Sequence, residues 1–308
     1  MKILITGGTG FIGKPLRKDL VANDHEVTIL TRAKKESSER LRFIQWDWNN
    51  HGNLTELVSG VDVVINLTGE SVVNKPWSEK QKEILFKTRI NPTREIVKAI
   101  NNASIKPKKL ISASAIGIYG NTLDAKITEG SPLGSDFLAN LCKQWEEEAL
   151  NAETDVTILR IGIVLGKKGG ALERMAAPFR MFFGGPLGSG NQWMSWIGIH
   201  DLIGLINLTL QNKNVKGIIN ATSPNPVTNK EFSDTLGKVL NRPSFMPVPA
   251  IALKIMFGEM ADLLLTGQRV YPEKAISYGY KFKYSYLEDA LERYLHESLR
   301  EKIAVGRI

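Results

Sequence analysis

A glycine-rich stretch near the start of the chain constrains the fold more than any other feature. Residues 3–5 form a short apolar run, and Gly7, Gly10 and Gly13 follow at the spacing of a dinucleotide-binding turn. A helix and a second strand are predicted within 16–30 and complete a βαβ unit. Glycines let the backbone approach a pyrophosphate, and the amides of a helix N-terminus favour its negative charge. The pattern therefore predicts dinucleotide binding. The alternative is a purely structural turn between strand and helix.

The residues after the second strand indicate which dinucleotide is preferred. Arg32 lies where NAD-binding proteins usually carry an acid that binds the ribose 2′-hydroxyl. An arginine can instead form two hydrogen bonds with a 2′-phosphate, and Lys34 and Lys35 add positive charge beside it. We therefore predict NADP rather than NAD as the cofactor. A solvated basic loop is the alternative interpretation.

The remaining chain continues the alternation of strands and helices. Further strands are predicted at 42–46, 61–67, 109–114, 156–161 and 217–222. The run at 61–67 is almost entirely apolar, as a strand buried on both faces of a parallel sheet requires. Crossovers between such strands are right-handed and place helices on both faces. The pattern thus predicts a parallel sheet that is covered on both sides.

Composition narrows the class of protein. The chain has 308 residues, of which 43% are apolar and 23% charged, so we expect an ordinary globular protein, large enough for two unequal lobes. Its single cysteine, Cys142, excludes an internal disulfide framework and fits a reducing compartment. Charged residues interrupt the longest apolar stretch, 250–265, and the first strand begins too early for a cleavable signal. We expect a soluble, cytoplasmic protein without a membrane partner.

The net charge of +8 makes nucleic acid a partner to consider. The lysines and arginines are dispersed, and no basic stripe is interleaved with stacking aromatic residues. Diffuse positive charge is more typical of solubility or of attraction to a small anionic ligand. We therefore expect no nucleic-acid partner. We also expect no metal site, because cysteine and histidine do not occur at metal-binding spacings.

Further motifs resemble those of the extended short-chain dehydrogenase/reductase superfamily. They are the glycine turn 7–13, Asn66–Gly69, Ser112–Gly120 and Leu159–Gly166. Other stretches resemble one subgroup, the epimerase-family proteins of family 39U, and these are Asn66–Glu70, Phe137–Glu146, Gly184–Trp196 and Pro224–Asn229. The chain is identified as a member of this subgroup over essentially its whole length.

The resemblance implies an α/β fold, with a Rossmann-type doubly wound parallel sheet and a small C-terminal α/β lobe. It suggests an NADP-binding Rossmann lobe at 1–165 and 201–223, and a small substrate-binding lobe at 166–200 and 224–308. The function implied is that of an NADP(H)-binding oxidoreductase or epimerase acting on an unknown small carbonyl or hydroxyl compound. The expected partner is this small-molecule substrate, and a homodimer is a further expectation.

In this superfamily a tyrosine four residues before a lysine transfers the proton while a hydride moves to or from the nicotinamide. Residues four apart share one helix face, and the lysine lowers the pKa of the tyrosine and holds the nicotinamide ribose. Lys143 matches that lysine, and Ser114 matches the carbonyl-binding serine, with Ala115 as the alternative register. Ala139 occupies the tyrosine position, so the usual proton donor is missing.

Three groups could replace the missing donor. They are Tyr119 in the loop after the fifth strand, Glu70 in the turn after the fourth, and a water bound by Lys143. Packing of Tyr119 and capping of a turn by Glu70 are the structural alternatives. Retention of Ser114 and Lys143 favours an enzyme. Ala139 favours the rival hypothesis, a non-catalytic NADP(H)-binding sensor or regulatory protein.

The predicted site residues follow from these motifs. Asp47 is placed to meet the adenine edge, and the small-residue turn after the fourth strand lets the backbone pass close to the cofactor. The Gly184–Trp196 loop supplies large apolar faces for a substrate wall, with packing of the core as the alternative. The cofactor-binding residues are Gly7, Thr9, Gly10, Phe11, Ile12, Gly13, Thr31, Arg32, Asp47, Leu67, Thr68, Gly69, Arg89 and Lys143. The catalytic candidates are Ser114, Tyr119 and Lys143, and the substrate-binding residues are Glu70, Trp193 and Trp196.

Overall fold

A computed structural model describes residues 1–48, 53–167 and 169–304, with side chains described as far as residue 295. Its strands are β1 Lys2–Thr6, β2 Glu26–Thr31, β3 Leu41–Gln45, β4 Val63–Asn66, β5 Lys109–Ala115, β6 Lys126–Ile127, β7 Asp155–Ile161, β8 Ile163–Leu165, β9 Trp193–Met194, β10 Trp196–Gly198, β11 Gly217–Ala221, β12 Val227–Thr228 and β13 Arg269–Val270. Its helices are α1 Gly13–Ala22, α2 Leu54–Val58, α3 Glu79–Asn102, α4 Phe137–Leu150, α5 Gly170–Arg180, α6 Ile199–Gln211, α7 Asn229–Leu240, α8 Ala250–Phe257, α9 Asp262–Leu265, α10 Glu273–Ser277 and α11 Leu287–Ala304. Short 3₁₀ helices lie at Ile116–Tyr119 and Gly258–Ala261.

The largest sheet of the described chain has seven strands in the order β11-β7-β5-β4-β1-β2-β3. It is a central parallel sheet with flanking helices, which confirms the predicted Rossmann-type fold. The order reverses between β1 and β4, and ligands of doubly wound sheets bind outside the carboxyl ends of the strands at such a switch point. The topology therefore places the glycine turn, which directly follows β1, at this edge.

The central strands of this sheet are buried beneath the flanking helices. All four residues of β4 are buried, as are the last four of β1. Leu4, Val64 and Leu110 of the sheet share one apolar cluster with Val58 of α2, Ile96 of α3 and Ala149 of α4. Strands covered on both faces need nearly continuous apolar sequence, and this explains why the run at 61–67 predicted a strand correctly. None of the helices in the described part of the chain combines the length and apolar character that a bilayer span requires.

The chain forms two compact units, each built from three separate segments. The larger unit comprises Met1–Ile118, Ser135–Arg160 and Ile203–Ile219, and the smaller comprises Tyr119–Gly134, Ile161–Leu202 and the chain from Asn220 onward. Residues 119–134 belong to the smaller unit. The physical reason is that β6, within this segment, pairs in parallel with β13.

A buried carboxylate organises the C-terminal part of the smaller unit. Asp201, at the start of α6, is fully buried. Its Oδ1 accepts hydrogen bonds from the Lys283 amide at 2.6 Å and the Tyr280 hydroxyl at 3.1 Å, and its Oδ2 accepts one from the Tyr284 amide at 3.0 Å. Burial raises the pKa of this carboxyl, while these hydrogen bonds oppose the shift. Asp201 therefore ties residues 280–284 to the start of α6, and the structure gives it this structural role.

Candidate functional site

Two glycines of the first turn are required by the fold itself. Gly7 has φ +71°, a conformation that L side chains rarely adopt, and a Cβ there would lie 2.4 Å from the carbonyl oxygen of Leu67. A Cβ on Gly13 would lie 2.5 Å from the carbonyl oxygen of Gly7. These distances are far inside van der Waals contact, so the turn between β1 and α1 can close only with glycine at both positions.

Gly10 is different, because neither its conformation nor its packing demands glycine. It is exposed, its φ is not in the left-handed region, and an added Cβ would meet only the Gly7 carbonyl oxygen, at 3.3 Å. The adjacent helix α1 begins with Ile12 as N-cap, and no side chain of the described chain caps it. The Lys14 amide donates to the Gly10 carbonyl oxygen at 3.0 Å and Pro15 has no amide hydrogen, so the helix N-terminus attracts an anion chiefly through its dipole. The missing side chain at Gly10 leaves room for a ligand there. This cradle fits a pyrophosphate.

The register of the sheet aligns the other predicted cofactor residues with this turn. Thr6 pairs with Leu30 and with Asn66, and Thr31 pairs with Gln45. The residues that follow these strands therefore lie along the same carboxyl edge: Gly7, Arg32, Asp47 and Leu67. The Arg32 side chain is exposed, while its carbonyl oxygen accepts a hydrogen bond from Gln45 Nε2 at 3.2 Å. Asp47 is exposed as well.

A buried hydrogen-bond network lies behind this edge. Asn66 Oδ1 accepts from the Thr6 hydroxyl at 2.8 Å, and Asn66 Nδ2 donates to the Thr93 hydroxyl at 2.8 Å. Trp145 Nε1 also donates to the Thr93 oxygen, at 3.0 Å, and Asn66 Nδ2 lies 3.4 Å from the Ser112 hydroxyl. These groups belong to β1, β4, β5, α3 and α4. The network therefore fixes the ends of three central strands against two helices.

The same asparagine shapes the turn that follows β4. Its Oδ1 also accepts from the Thr68 amide at 3.2 Å, and Arg89 Nη2 donates to the Glu70 carbonyl oxygen at 2.7 Å. The Arg89 guanidinium lies over the Trp145 ring, and its burial lowers its pKa. The Thr68 hydroxyl oxygen is buried and has no hydrogen-bond partner among the described residues. Arg89 thus supports the backbone of this turn.

The predicted catalytic serine already has a strong partner. Ser114 is 3% exposed, and its hydroxyl donates to Glu146 Oε1 at 2.6 Å. Arg160 holds the same carboxylate through Nε to Oε1 at 2.9 Å and Nη2 to Oε2 at 2.8 Å. The two ionic side chains are only 3% and 6% exposed. Ser114 therefore belongs to a buried Ser114–Glu146–Arg160 cluster, which the motifs did not reveal.

The side chains of α4 that contact Ser114 are not those at positions 139 and 143, where the superfamily has its tyrosine and lysine. Cys142 and Glu146, four apart, face the end of β5, and the Cys142 thiol lies within hydrogen-bonding reach of the Ser114 side chain and the Ala115 backbone. Burial raises the pKa of that thiol to about 12, so it is protonated and unreactive at neutral pH. Lys143, the next residue, is only half-buried. One feature of the sequence points to this side of α4: Glu146 is a charged residue at the helical spacing of the buried Cys142 and Ala149.

Ala139 is completely buried. Its amide donates to Asp136 Oδ1, the N-cap of α4, at 2.8 Å. A tyrosine ring at this position has no space to enter without repacking its surroundings, and overpacking is itself destabilising. The superfamily's proton donor is therefore absent from position 139, and Ala139→Tyr would place a large ring at a fully buried site.

Tyr119 belongs to the smaller unit, whereas Ser114 and Lys143 belong to the larger. It is 2% exposed, and its hydroxyl donates to Asn220 Oδ1 at 2.7 Å. The amide of Asn220 in turn donates to Glu129 Oε1 at 3.0 Å. This environment supports the packing alternative for Tyr119. Its role as a proton donor stays a prediction.

The two predicted wall tryptophans have different surroundings within the smaller unit. Trp196 is fully buried, and its Nε1 donates to the Asn225 carbonyl oxygen at 3.1 Å, so its indole packs the interior. Trp193 is partly exposed and is held by two contacts: its Nε1 donates to Asp124 Oδ1 at 2.8 Å, and the Arg269 guanidinium lies 4.5 Å above its ring. Trp193 is therefore the better placed of the two to meet a ligand.

Comparisons with known proteins identify the family to which the chain is similar. The NAD dependent epimerase/dehydratase family model matches residues 3–221, and a domain of unknown function, DUF1731, matches residues 248–294. The chain is 43% identical over 304 residues to the chloroplastic epimerase family protein SDR39U1 homolog of Arabidopsis thaliana, covering 94% of this chain and 86% of that protein. It is 37% identical to the human epimerase family protein SDR39U1, covering 95% of this chain and 99% of that protein.

Two solved structures of epimerases or epimerase-family proteins match the fold of the chain. The crystal structure of human SDR39U1 isoform 2 with NADPH matches at a TM-score of 0.86 and 34% identity, covering 96% of this chain and 99% of that one. A nucleoside-diphosphate sugar epimerase from Corynebacterium glutamicum matches at a TM-score of 0.77 and 30% identity, covering 98% of this chain and 61% of that one.

Proposed function

Because the chain belongs to the NAD dependent epimerase/dehydratase family, we propose that it binds NADP(H) through its larger unit and acts on a small carbonyl or hydroxyl compound as an oxidoreductase or epimerase. The observation that carries the proposal is the sheet edge where the Gly7–Gly13 turn, Arg32 and the turn after β4 meet. The NADPH in the structure of human SDR39U1 supports the choice of nucleotide.

Each part of this edge has a distinct task in binding. The open position at Gly10 and the positive end of the α1 dipole suit the pyrophosphate. The exposed Arg32 suits a ribose 2′-phosphate, to which a guanidinium can donate two hydrogen bonds. When bound, NADP(H) supplies or accepts the hydride of the reaction. Native mass spectrometry of the protein as purified tests the proposal, since NADP(H) should be the nucleotide that accompanies it.

Replacing Arg32 by alanine is expected to remove most of the preference for NADPH over NADH. We expect at least a tenfold preference in the wild type, equivalent to about 1.4 kcal/mol. Fluorescence titration with both nucleotides measures it. Arg42→Ala is the matched control, because Arg42 is also exposed but lies on β3 away from the carboxyl edge. Equal affinities of the wild type for the two nucleotides would contradict the assignment.

Replacing Gly10 by alanine is expected to weaken NADPH binding about tenfold or more, about 1.4 kcal/mol. The reason is that the added methyl group would occupy the space that the pyrophosphate needs. Thermal unfolding should change little, since the new Cβ meets only one protein atom, at 3.3 Å. Gly130→Ala is the control, because a Cβ at this exposed glycine would meet nothing within 4 Å. Unchanged NADPH affinity in Gly10→Ala would place the pyrophosphate elsewhere.

A second candidate function is a non-catalytic NADP(H)-binding sensor or regulatory protein. The observation that favours it is the engagement of Ser114 by Glu146, together with the buried Ala139 in place of a tyrosine. An enzyme should oxidise bound NADPH when the correct carbonyl compound is added, whereas a sensor should retain NADPH unchanged. Single-turnover absorbance measurements over a panel of aldehydes and ketones separate the two functions.

A further inference from the structure

Two positively charged side chains lie opposite each other on the two-stranded sheet of β6 and β13. Arg269 and Lys126 are paired residues of these parallel strands, so their side chains project from the same face of the sheet. Both are exposed, whereas Val270 and Ile127, the next residues along the two strands, are 0% and 5% exposed. The sheet therefore buries one face and directs the two cations outward from the other.

Each of these cations lies against an aromatic ring. The Arg269 guanidinium carbon is 4.5 Å from the centroid of the Trp193 ring, and Lys126 Nζ is 4.0 Å from the centroid of the Tyr271 ring. Both distances fall within about 6 Å, the range of a cation–π contact. An aromatic ring attracts a cation but carries no net charge. The two side chains are therefore held in place while their positive charges remain unbalanced.

The backbone beneath Arg269 is fixed by close contacts. The Val270 amide donates to Ser195 Oγ at 2.8 Å. A Cβ on Gly267 would lie 2.0 Å from the carbonyl oxygen of Trp193, so the chain just before β13 packs directly against the backbone of that tryptophan. These contacts hold β13 against the segment that carries Trp193, and they keep Arg269 beside its ring.

No carboxylate among the described residues balances the two charges. Neither Arg269 nor Lys126 forms an ion pair within that part of the chain. Asp124, two residues before Lys126, instead accepts a hydrogen bond from Trp193 Nε1 at 2.8 Å. Like charges placed opposite each other on neighbouring strands repel. A bound anion that contacts both cations would remove this repulsion.

The chemistry of the two cations indicates a phosphate monoester as that anion. An arginine can donate two parallel hydrogen bonds to a phosphate, and a lysine adds a compact point charge. Neighbouring strands lie about 4.8 Å apart, so both side chains can reach the free oxygens of one phosphate group. A phosphate monoester carries about two negative charges near neutral pH and so matches two adjacent cations. A phosphodiester or a single carboxylate carries only one.

We propose that Trp193, Arg269, Tyr271 and Lys126, together called the basic face, bind the phosphate group of a small phosphate monoester. All four residues belong to the smaller unit, whereas the residues proposed to bind the nucleotide belong to the larger. The proposal therefore goes beyond the proposed function and does not rest on it.

Titration with glycerol 2-phosphate tests the proposal on the full chain, with and without saturating NADPH, at about pH 8, where the monoester is doubly charged. The indole N–H resonance of Trp193 in ¹⁵N-labelled protein reports on the basic face, and Trp193→Phe identifies it. This resonance should shift saturably in both series. Glycerol, which has no phosphate group, should leave it unchanged.

Removing either charge is expected to weaken binding of the monoester. Arg269→Gln and Lys126→Gln should each raise its Kd about tenfold or more, since each removes a charge-assisted hydrogen bond. Arg180→Gln is the matched control, because Arg180 is exposed in the same unit but is not part of the basic face. Both tested residues are exposed, and thermal unfolding verifies that their variants are folded.

Several results would overturn the proposal. One is the absence of a saturable Trp193 shift, and another is wild-type affinity in both charge-removal variants. Dimethyl phosphate, a singly charged diester, should bind about tenfold more weakly or less, and equal binding would mean an adventitious ion only. Loss of the shift at saturating NADPH would assign the basic face to the nucleotide. Flotation of the wild type, but not of Arg269→Gln, with vesicles containing phosphatidic acid would assign it to a lipid headgroup.

Discussion

Arg160→Met is expected to lower the free energy of unfolding by about 3–5 kcal/mol, the range observed when one partner of a buried ion pair is removed. Arg160 and Glu146 are 3% and 6% exposed, and two hydrogen bonds of 2.9 and 2.8 Å join them. Without the guanidinium, the Glu146 carboxylate would keep only partial compensation from the Ser114 hydroxyl. Urea denaturation followed by circular dichroism measures the loss.

The chain provides a matched control in a second arginine–glutamate pair. Arg94 pairs with Glu148 between α3 and α4, but the arginine side chain is 47% exposed. Exposed pairs contribute about 0–1 kcal/mol, so Arg94→Met should change stability by no more than that. A triple variant, Arg160→Met with Glu146→Leu and Ser114→Ala, should recover much of the loss because it removes the buried carboxylate that Arg160→Met alone leaves without its guanidinium. If Arg160→Met and Arg94→Met lowered the free energy of unfolding by similar small amounts, burial would not be what makes the Arg160–Glu146 pair matter for stability.

NADPH oxidation with generic aldehydes and ketones is expected to be about 10²–10⁴-fold slower than in relatives with the tyrosine–lysine pair, the usual contribution of general acid–base catalysis. Position 139 holds a buried alanine, the Ser114 hydroxyl donates to Glu146, and burial raises the pKa of the Cys142 thiol to about 12. None of these groups can readily supply a proton at neutral pH.

Stopped-flow absorbance at saturating NADPH measures this rate in a single turnover. Ser114→Ala and Lys143→Ala identify any residue that still assists the reaction. At saturating NADPH, a residue that assists the chemical step should lower the single-turnover rate, whereas one that only holds the cofactor should alter NADPH affinity alone. Arg94→Met again serves as a control for nonspecific effects. A wild type as fast as tyrosine-containing relatives would mean that another group donates the proton efficiently.

The start of the larger unit could be predicted from the sequence because the residues that determine its strand, turn and helix are close together in the chain. The strand, the glycine turn and the helix at the start lie within the first 22 residues, and the family and the fold are confirmed. Helix α7 is specified just as locally, since Thr228 is its N-cap and forms a capping box with Glu231. Each of these patterns is decided by residues a few positions apart.

The Ser114–Glu146–Arg160 cluster could not be predicted in the same way. Its members come from β5, α4 and β7, and a charged residue on a helix is normally interpreted as exposed. The motif comparison pointed to Lys143, while the packing of α4 turned Cys142 and Glu146 towards Ser114. The place of 119–134 in the smaller unit depends on a similarly distant contact: β6 has two residues, and its partner β13 follows about 140 residues later.

The division of each unit into three segments has a consequence for synthesis of the chain. The last segment of the larger unit ends at Ile219, so this unit has all its residues while β13 is still to be made. At about 5–20 residues per second, β6 waits roughly ten seconds or more for its partner strand after leaving the ribosome. We therefore expect the larger unit to fold first on the nascent chain. Producing either unit alone would require its three segments to be rejoined by new linkers, because no single cut separates them.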